Sequence, residues 1–163
     1  MNVFELRRRL MSKKENYNLI NVDKFVELVK QYYTKATLIE VDGRRCIKVS
    51  NSVLHGKDFT MCCPTFKEKT RYIFSFEARP ETTSTGLGYL YMGFKPSSST
   101  PSKYLAPNSD QFKRIYNINN ANTTVTDIYF SYGNAYNWLI DLETLCLYEY
   151  DKFLELGGTT MWG

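Results

Sequence analysis

Short runs of alternating apolar and polar residues, separated by turn signals, constrain the fold of this chain more than any other feature. The clearest run covers residues 70–78, in which Tyr72, Phe74 and Phe76 share one side. Arg71, Ser75 and Glu77 share the other side. Side chains alternate between the two faces of a β-strand, so this period predicts a strand with one buried face. A helix would need a repeat of three to four residues, which this run lacks.

The remaining runs extend this pattern along the chain. They predict further strands over residues 36–41, 45–49, 59–62, 88–94, 112–118, 126–132 and 138–148. Asp42-Gly43 between the first two predicts a hairpin turn. The Ser/Pro-rich stretch 95–110 predicts a long surface loop without a strand, and residues 22–35 favour either a helix or a strand followed by a loop. Strands of this number and spacing predict an all-β fold, a jelly-roll β-sandwich.

The two ends of the chain differ from this body. Val3, Leu6 and Leu10 form one apolar stripe, which predicts a short helix over residues 2–12. The expected organisation is therefore a helical leader and linker over residues 1–16, the jelly-roll domain over 17–152 and a tail over 153–163. The leader is expected either to be solvated and partly frayed or to dock on a partner subunit, because so short a helix is unstable alone.

Composition and charge exclude several classes of protein. The chain has 163 residues, 43% of them hydrophobic and 23% charged, which is typical of a globular domain and not of a disordered one. No apolar run approaches the roughly 20 residues of a membrane span. Residues 1–15 hold five Lys and Arg against two Glu, so most of the net charge of +4 lies there. A folded body without a basic face argues against nucleic-acid binding.

Cysteine and histidine usage argues against zinc. The four cysteines (Cys46, Cys62, Cys63 and Cys146) contain no C-x-x-C pair, and His55 is the single histidine. We expect unpaired thiols that act as small hydrophobic side chains. The basic N-terminus lacks the apolar region of a secretory signal, so the chain is expected to be made in the cytoplasm, without disulfides.

Four landmarks along the chain resemble a known family. Residues 18–20 read NLI, 46–49 read CIKV, 69–79 read KTRYIFSFEAR and 138–141 read WLID. This order is similar to the galactose-binding-like jelly rolls of bacterial carbohydrate-binding modules, which carry a Y-x-F-S-F-x-A-R strand and close on W-x-I-D. The resemblance covers residues 18–150 and implies a glycan or polysaccharide as the binding partner.

A second resemblance concerns the leader. Residues 4–11, FELRRRLM, look like the opening of phage and prophage structural proteins in which a short helix precedes a sugar-binding-like jelly roll. This implies a place on a virion tail or an extracellular surface assembly. It also implies that residues 1–15 join copies of the chain into a homo-oligomer or join it to other tail proteins.

Candidate binding residues follow from the alternation of the strands. A sugar ring presents an apolar C–H face with hydroxyls at its edge, so its site needs aromatic platforms flanked by polar groups. If the strands 70–78 and 88–94 are neighbours, two tyrosines of the second lie beside a charged row of the first on one sheet face. Tyr129 and Asp127 occupy the corresponding face of the later strand 126–132. The expected ligand-binding residues are Tyr89, Tyr91, Tyr129, Arg79, Glu77 and Asp127. The tyrosines are also expected, in the plainer alternative, to cover the sheet or support the 95–110 loop.

The resemblance also implies a structural calcium ion near the two ends of the domain. Asp141 matches the closing aspartate of the family. At the opening, Val26 follows Phe25 where the family has an acid, so Asp23 or Glu27 would have to substitute. The alternative for Asp141 is a turn or edge carboxylate that is hydrogen-bonded to backbone.

Nothing in the sequence predicts catalysis. The chain has no G-x-S-x-G, P-loop or H-E-x-x-H motif. Glu77 and Asp127 are the acids that would face one groove, as a glycosidase pair must, but surface acids are common on sandwiches. The expected function is therefore non-catalytic carbohydrate binding, and the alternative is a structural or assembly jelly roll without a ligand.

Overall fold

The structure, a computed structural model, contains eight strands and two helices in the described part of the chain. It describes residues 17–32, 36–50, 62–63, 65–81, 89–96, 102–105, 111–133 and 137–158. The elements are α1 (Val22–Tyr32), β1 (Thr37–Val41), β2 (Arg44–Ser50), β3 (Tyr72–Pro80), β4 (Tyr89–Lys95), β5 (Ser102–Leu105), β6 (Lys113–Ile118), β7 (Asp127–Gly133), β8 (Asn137–Glu149) and α2 (Tyr150–Glu155).

The described strands form two antiparallel sheets. The larger sheet has five strands in the order β1-β2-β8-β3-β6, and the smaller has three in the order β5-β4-β7. β8 lies at the centre of the larger sheet, where Ile140 is opposite Ile47 of β2 and Ala78 of β3. The predicted all-β sandwich of the jelly-roll class is confirmed by this arrangement.

The core lies between the two sheets. Phe74 of β3 meets Phe94 of β4 edge to face, with ring centroids 6.5 Å apart. Trp138 of β8 is fully buried in the same cluster, and Phe25 of α1 joins it. Strands β2, β3, β6 and β8 of the larger sheet therefore turn one face to this core and the other outward, whereas no residue of β1 is buried.

Residues 22–32 form a helix rather than the alternative strand and loop. Asn21 caps its start, because its Oδ1 accepts a hydrogen bond from the Lys24 backbone N–H at 3.0 Å. Phe25, Leu28 and Val29 recur at helical spacing and are buried, so the helix is stabilised by packing of one face.

The loop prediction for residues 95–110 is wrong at 102–105. These residues form β5, which pairs with β4 so that Lys103 is opposite Tyr91. Strands pair through their backbone N–H and C=O groups. A segment can therefore pair with β4 even though the pattern of its side chains does not predict a strand. The leader over residues 1–16, most of the strand predicted at 59–62, and residues 159–163 of the predicted tail lie outside the described residues. Helix α2 crosses residue 152, where the sequence places the end of the domain.

Candidate functional site

A bulge in β8 shapes the outer face of the five-stranded sheet. Ser75 is opposite Cys146, but Glu77, two residues further along β3, is opposite Asp141. The Thr144 hydroxyl closes the extra length, since it accepts the Glu77 backbone N–H and donates to the Asp141 carbonyl oxygen, both at 2.8 Å. Bulges of this kind bend a strand and re-aim its side chains. This one places Glu77 and Asp141 side by side on the outer face.

Asp141 is a structural carboxylate of that bulge. Its Oδ1 accepts the Glu143 backbone N–H at 3.0 Å, and its Oδ2 accepts a hydrogen bond from Arg44 Nη1 at 2.8 Å. The residue is 3% exposed. A buried carboxylate needs such partners because desolvation penalises its charge. Asp141 therefore has the hydrogen bond to backbone that the alternative to calcium binding predicts.

Arginines surround the two acids. Arg44 Nη1 also donates to Glu77, and this hydrogen bond raises the pKa of Arg44 further above its ordinary value. Arg114 approaches Glu77 from the other side, with Nη2 3.7 Å from Oε1, and its Nη1 donates to the Thr144 carbonyl oxygen at 3.0 Å. On this part of the outer face, each carboxylate is therefore paired with an arginine.

A phenylalanine ring joins this network to Arg79. The guanidinium carbons of Arg44 and Arg79 lie 4.5 and 5.2 Å from the centroid of Phe112. We call Arg44, Arg79 and Phe112 the arginine–phenylalanine cluster. Phe112 itself is half-buried. Guanidinium groups stack on aromatic faces and keep their N–H edges available for hydrogen bonds.

Apolar side chains lie on the same outer face. Cys46 and Leu139 are 0% and 1% exposed, although the core-facing positions of their strands are the neighbouring ones. Burial raises the pKa of the Cys46 thiol to about 11, and the charge of Asp141 adds to this. The outer face of the larger sheet thus has buried apolar side chains next to its charged ones.

Glu81 forms a separate polar contact at the end of β3. Its Oε2 accepts from Asn137 Nδ2 at 2.6 Å and its Oε1 from Lys48 Nζ at 3.2 Å. The hydrogen bond from Asn137 is the main cause that lowers the pKa of Glu81, and Lys48 adds to it. This contact ties the ends of β3, β8 and β2 together.

The predicted binding set is divided between the two sheets. Glu77 and Arg79 share the outer face of the larger sheet, as their alternation predicts. Tyr91 belongs to the smaller sheet, opposite Ser131 of β7. The expectation that the strands 70–78 and 88–94 are neighbours is wrong, because β3 pairs with β6 and β8 whereas β4 pairs with β5 and β7.

The other predicted residues belong to the smaller sheet as well. Asp127 begins β7 opposite Lys95 and is buried, with its Oδ1 accepting the Ile128 backbone N–H at 2.8 Å. Tyr89 opens β4 and Tyr129 is opposite Gly93; the side chains of these two tyrosines lie outside the described part. The structure therefore does not bring the six predicted residues into one site.

The donor set around Asp141 does not fit a calcium ion. Both of its carboxylate oxygens are engaged, one of them by the cation Arg44. Asp23 is exposed in the first turn of α1, and Glu27 pairs with Lys24 at 2.9 Å. Among the described residues, no three His, Cys, Asp or Glu side chains are grouped so that they could hold a metal. The calcium ion stays a prediction from the resemblance.

Sequence reasoning missed Arg44, Phe112 and Arg114. A signal for Arg44 was present, since Arg44, Cys46 and Lys48 alternate with the apolar Ile47 and Val49. That alternation places Arg44 on the outer face of β2. Phe112 and Arg114 alternate with the apolar Ile115 in the predicted strand 112–118, which places them on the same outer side. Their contacts carried no signal, because only the folded chain brings the Phe112 ring to Arg44 and Arg79.

Comparisons with known proteins identify no family for this chain. No family model matches it, and no curated protein does. In the described part of the chain, no helix is long and apolar enough to cross a membrane.

Solved structures that are similar to it include the following two. One is the N-terminal endo-1,4-beta-D-xylanase 10B of Clostridium thermocellum, as its CBM22-1-GH10 modules complexed with xylohexaose, with 14% identity over 71% of this chain and a TM-score of 0.46. This chain spans 25% of that xylanase chain. The other is a CBM4 structure, with 11% identity, a TM-score of 0.38 and coverage of 69% of this chain and 87% of that chain. The β-sandwich of this chain rests on the strand pairing described above.

Proposed function

We propose that this chain is a non-catalytic carbohydrate-binding jelly roll whose glycan site is the outer face of the five-stranded sheet. The observation that carries the proposal is the arginine–phenylalanine cluster, a half-buried Phe112 ring flanked by the guanidinium groups of Arg44 and Arg79. A sugar ring needs this combination, an aromatic surface for its C–H face and fixed donors for its hydroxyls. Glu77, paired with Arg44 and 25% exposed, adds an acceptor.

The same geometry favours binding over hydrolysis. A glycosidase holds two carboxyl groups apart on either side of the scissile bond. Here Glu77 and Asp141 are hydrogen-bonded to the same Arg44 nitrogen. Asp141 is 3% exposed, so a substrate has little access to it.

The test compares one aromatic residue from each sheet. Binding of the purified protein to a glycan array is measured for wild type, Phe112→Ala and Tyr91→Ala. We expect Phe112→Ala to weaken binding by about fivefold or more, the usual effect of truncating a central contact residue, while Tyr91→Ala leaves binding unchanged. Both variants are checked for an unchanged melting temperature.

Other outcomes of this test have defined meanings. Loss of binding in Tyr91→Ala alone would move the site to the three-stranded sheet, to which Tyr91 belongs. An array on which folded protein binds no glycan would contradict the proposal and favour the assembly alternative.

The phage-tail or surface setting rests on the leader sequence and stays a prediction. Residues 1–15, which would join the chain to itself or to tail proteins, lie outside the described residues. Deletion of residues 1–15 should lower the mass measured by light scattering. An unchanged mass would contradict docking through the leader. Repetition in an oligomer would strengthen the modest affinity of an open glycan site by avidity.

A further inference from the structure

One edge of the Arg79 guanidinium group has few hydrogen-bond acceptors near it. Its Nη1 donates to the backbone carbonyl oxygens of Pro80 at 3.1 Å and Glu81 at 3.3 Å. These two bonds fix the orientation of the group, and the side chain is only 11% exposed. The opposite edge, formed by Nε and Nη2, has one weak hydrogen-bond partner.

That edge lacks the acceptors a buried guanidinium usually finds. Nε is buried and has no hydrogen-bond partner among the described residues. Nη2 reaches a single carboxylate oxygen, Oδ2 of Asp42, at 3.5 Å. Asp42 is 70% exposed and lies in the β1–β2 turn, so this contact is weak. A buried donor without a partner calls for a missing acceptor.

The surroundings indicate the shape of that acceptor. The guanidinium carbon of Arg79 lies over the Phe112 ring, 5.2 Å from its centroid. A guanidinium group is planar, so its Nε and Nη2 present two N–H donors side by side along one edge. Two parallel N–H donors match the two oxygens of a carboxylate, whereas a sugar hydroxyl offers one oxygen.

We propose that the glycan recognised by this face carries a carboxylate, as a uronic acid does, and that Arg79 binds it through Nε and Nη2. The inference rests on the proposed function and names the substrate class of the same site. The sugar ring lies on Phe112, and its carboxylate replaces Asp42 on Arg79. Uronic acids fit because their carboxylate is joined directly to the ring that packs on the aromatic face.

The experiment compares acidic oligosaccharides with their carboxyl-reduced forms. The probes are oligogalacturonates, alginate oligosaccharides and hyaluronan oligosaccharides, each also with its carboxylates reduced to hydroxymethyl groups, and neutral xylo- and cello-oligosaccharides. Affinity is measured by titration calorimetry on the full chain. We expect at least one acidic series to bind about tenfold or more tightly than its reduced form, since hydrogen bonds to charged groups are the strong ones.

Two variants of the site and one control locate the effect. Arg79→Lys keeps the charge but loses the two-donor edge, and should remove the preference for the acidic form. Asp42→Asn removes the competing carboxylate and should raise acidic-glycan affinity by up to about fivefold. Asn is tolerated at this position, where φ is 52°, so this variant does not depend on the stability of Arg79→Lys. The control is Arg71→Lys, an exposed arginine near the other end of β3 that packs on Tyr150.

The outcomes separate the inference from the proposed function. Neutral glycans that bind as tightly as acidic ones would overturn the inference and leave glycan binding intact. The same holds if acidic glycans bind but Asp42→Asn and Arg79→Lys leave their affinity unchanged, since a water molecule would then be the missing partner of Nε. Absence of binding to every probe and to a glycan array would overturn both.

Discussion

The outer face of the five-stranded sheet has two ends built on the same two strands, β3 and β8. At one end, the polar end, Arg44, Glu77 and Asp141 form a charged network beside Phe112. At the other, the apolar end, Ile73 and Tyr148 form a separate hydrophobic cluster with Phe153 of α2. The bulge between these ends divides a charged surface from an apolar one.

The apolar end is covered by the segment that follows it directly. α2 begins where β8 ends, and the ring centroids of Phe153 and Tyr148 are 6.1 Å apart. Gly157, with φ of 78°, ends the helix in a Schellman turn whose hydrogen bonds run from Gly157 to Leu154 and from Gly158 to Phe153. A Cβ on Gly158 would lie 2.5 Å from the Phe153 ring, so the close return of the chain needs glycine there.

The polar end is covered by side chains from distant positions. Arg44 comes from β2, Arg79 from β3 and Phe112 from the residues before β6. Such a surface keeps hydrogen-bonding edges available, which the apolar end does not. The apolar end therefore serves stability, and the polar end is the surface proposed for glycan binding.

The largest effect is expected at the apolar end. Phe153→Ala should lower the free energy of unfolding by about 3 kcal/mol, because a buried ring is replaced by a cavity. Urea denaturation measures this, and glycan binding should be unchanged. The matched control is Leu154→Ala, since Leu154 is the next residue on α2 and is 48% exposed; its effect should stay within about 0.5 kcal/mol. Equal losses in the two variants would show that α2 does not seal the sheet.

A smaller loss is expected at the polar end. Asp141→Asn should lower the free energy of unfolding by about 2 kcal/mol. The substitution removes the negative charge that pairs with Arg44, and Asp141 is buried. The loss stays moderate because Arg44 keeps Glu77 and is 37% exposed. Glu143→Gln, an exposed neighbour in the same bulge, serves as the control in the same urea experiment. An unfolding free energy unchanged in Asp141→Asn would mean that the pair is not needed for the fold.

Glu81 should make the polar end sensitive to acid. Its pKa is lowered in the folded protein by Asn137 and Lys48, so its stabilisation is complete above the unfolded pKa of about 4.3 and is lost as the pH falls through the lower folded value. Glu81→Gln should therefore flatten the fall in stability below about pH 5, and lower stability at pH 7 by less than about 1 kcal/mol. A wild-type and a variant curve that run parallel from pH 7 to pH 3 would contradict this.

The smallest effect concerns the two thiols of the outer face. Cys46, fully buried with a pKa of about 11 at the polar end, should resist iodoacetamide at pH 8, because the thiolate is the reactive form. Cys146, half-buried at the apolar end, should react faster in Phe153→Ala than in wild type. Mass spectrometry of the labelled peptides measures both rates. A parallel rise at Cys46 would show that the two ends open together.

The sequence predicted strands well where apolar and polar residues alternate. The alternation in residues 70–78 predicts which side chains of β3 enter the core, and Phe74 and Phe76 are buried there. Asp42-Gly43 predicts the β1–β2 hairpin, in which both residues have positive φ. The segment at 102–105 was missed because its strand depends on pairing with β4 and not on its own composition.

The site was predicted in part. Alternation places Glu77 and Arg79 on one outer face, and this is confirmed. It joins Tyr91 to them only on the assumption that consecutive strands are neighbours, which the strand order contradicts. Periodicity reports which face a residue occupies and carries no information on which strand lies beside it.

The class of fold, the core face of most strands and the turn that joins β1 to β2 are all predictable from the sequence, because each depends on local periodicity and backbone preference. Three features arise in the folded chain alone: β3 lies between β6 and β8, a bulge sets Asp141 beside Glu77, and Phe112 packs against Arg44 and Arg79. These features depend on contacts between residues far apart in the chain. Such contacts form only when the whole sandwich has closed, so no local pattern records them.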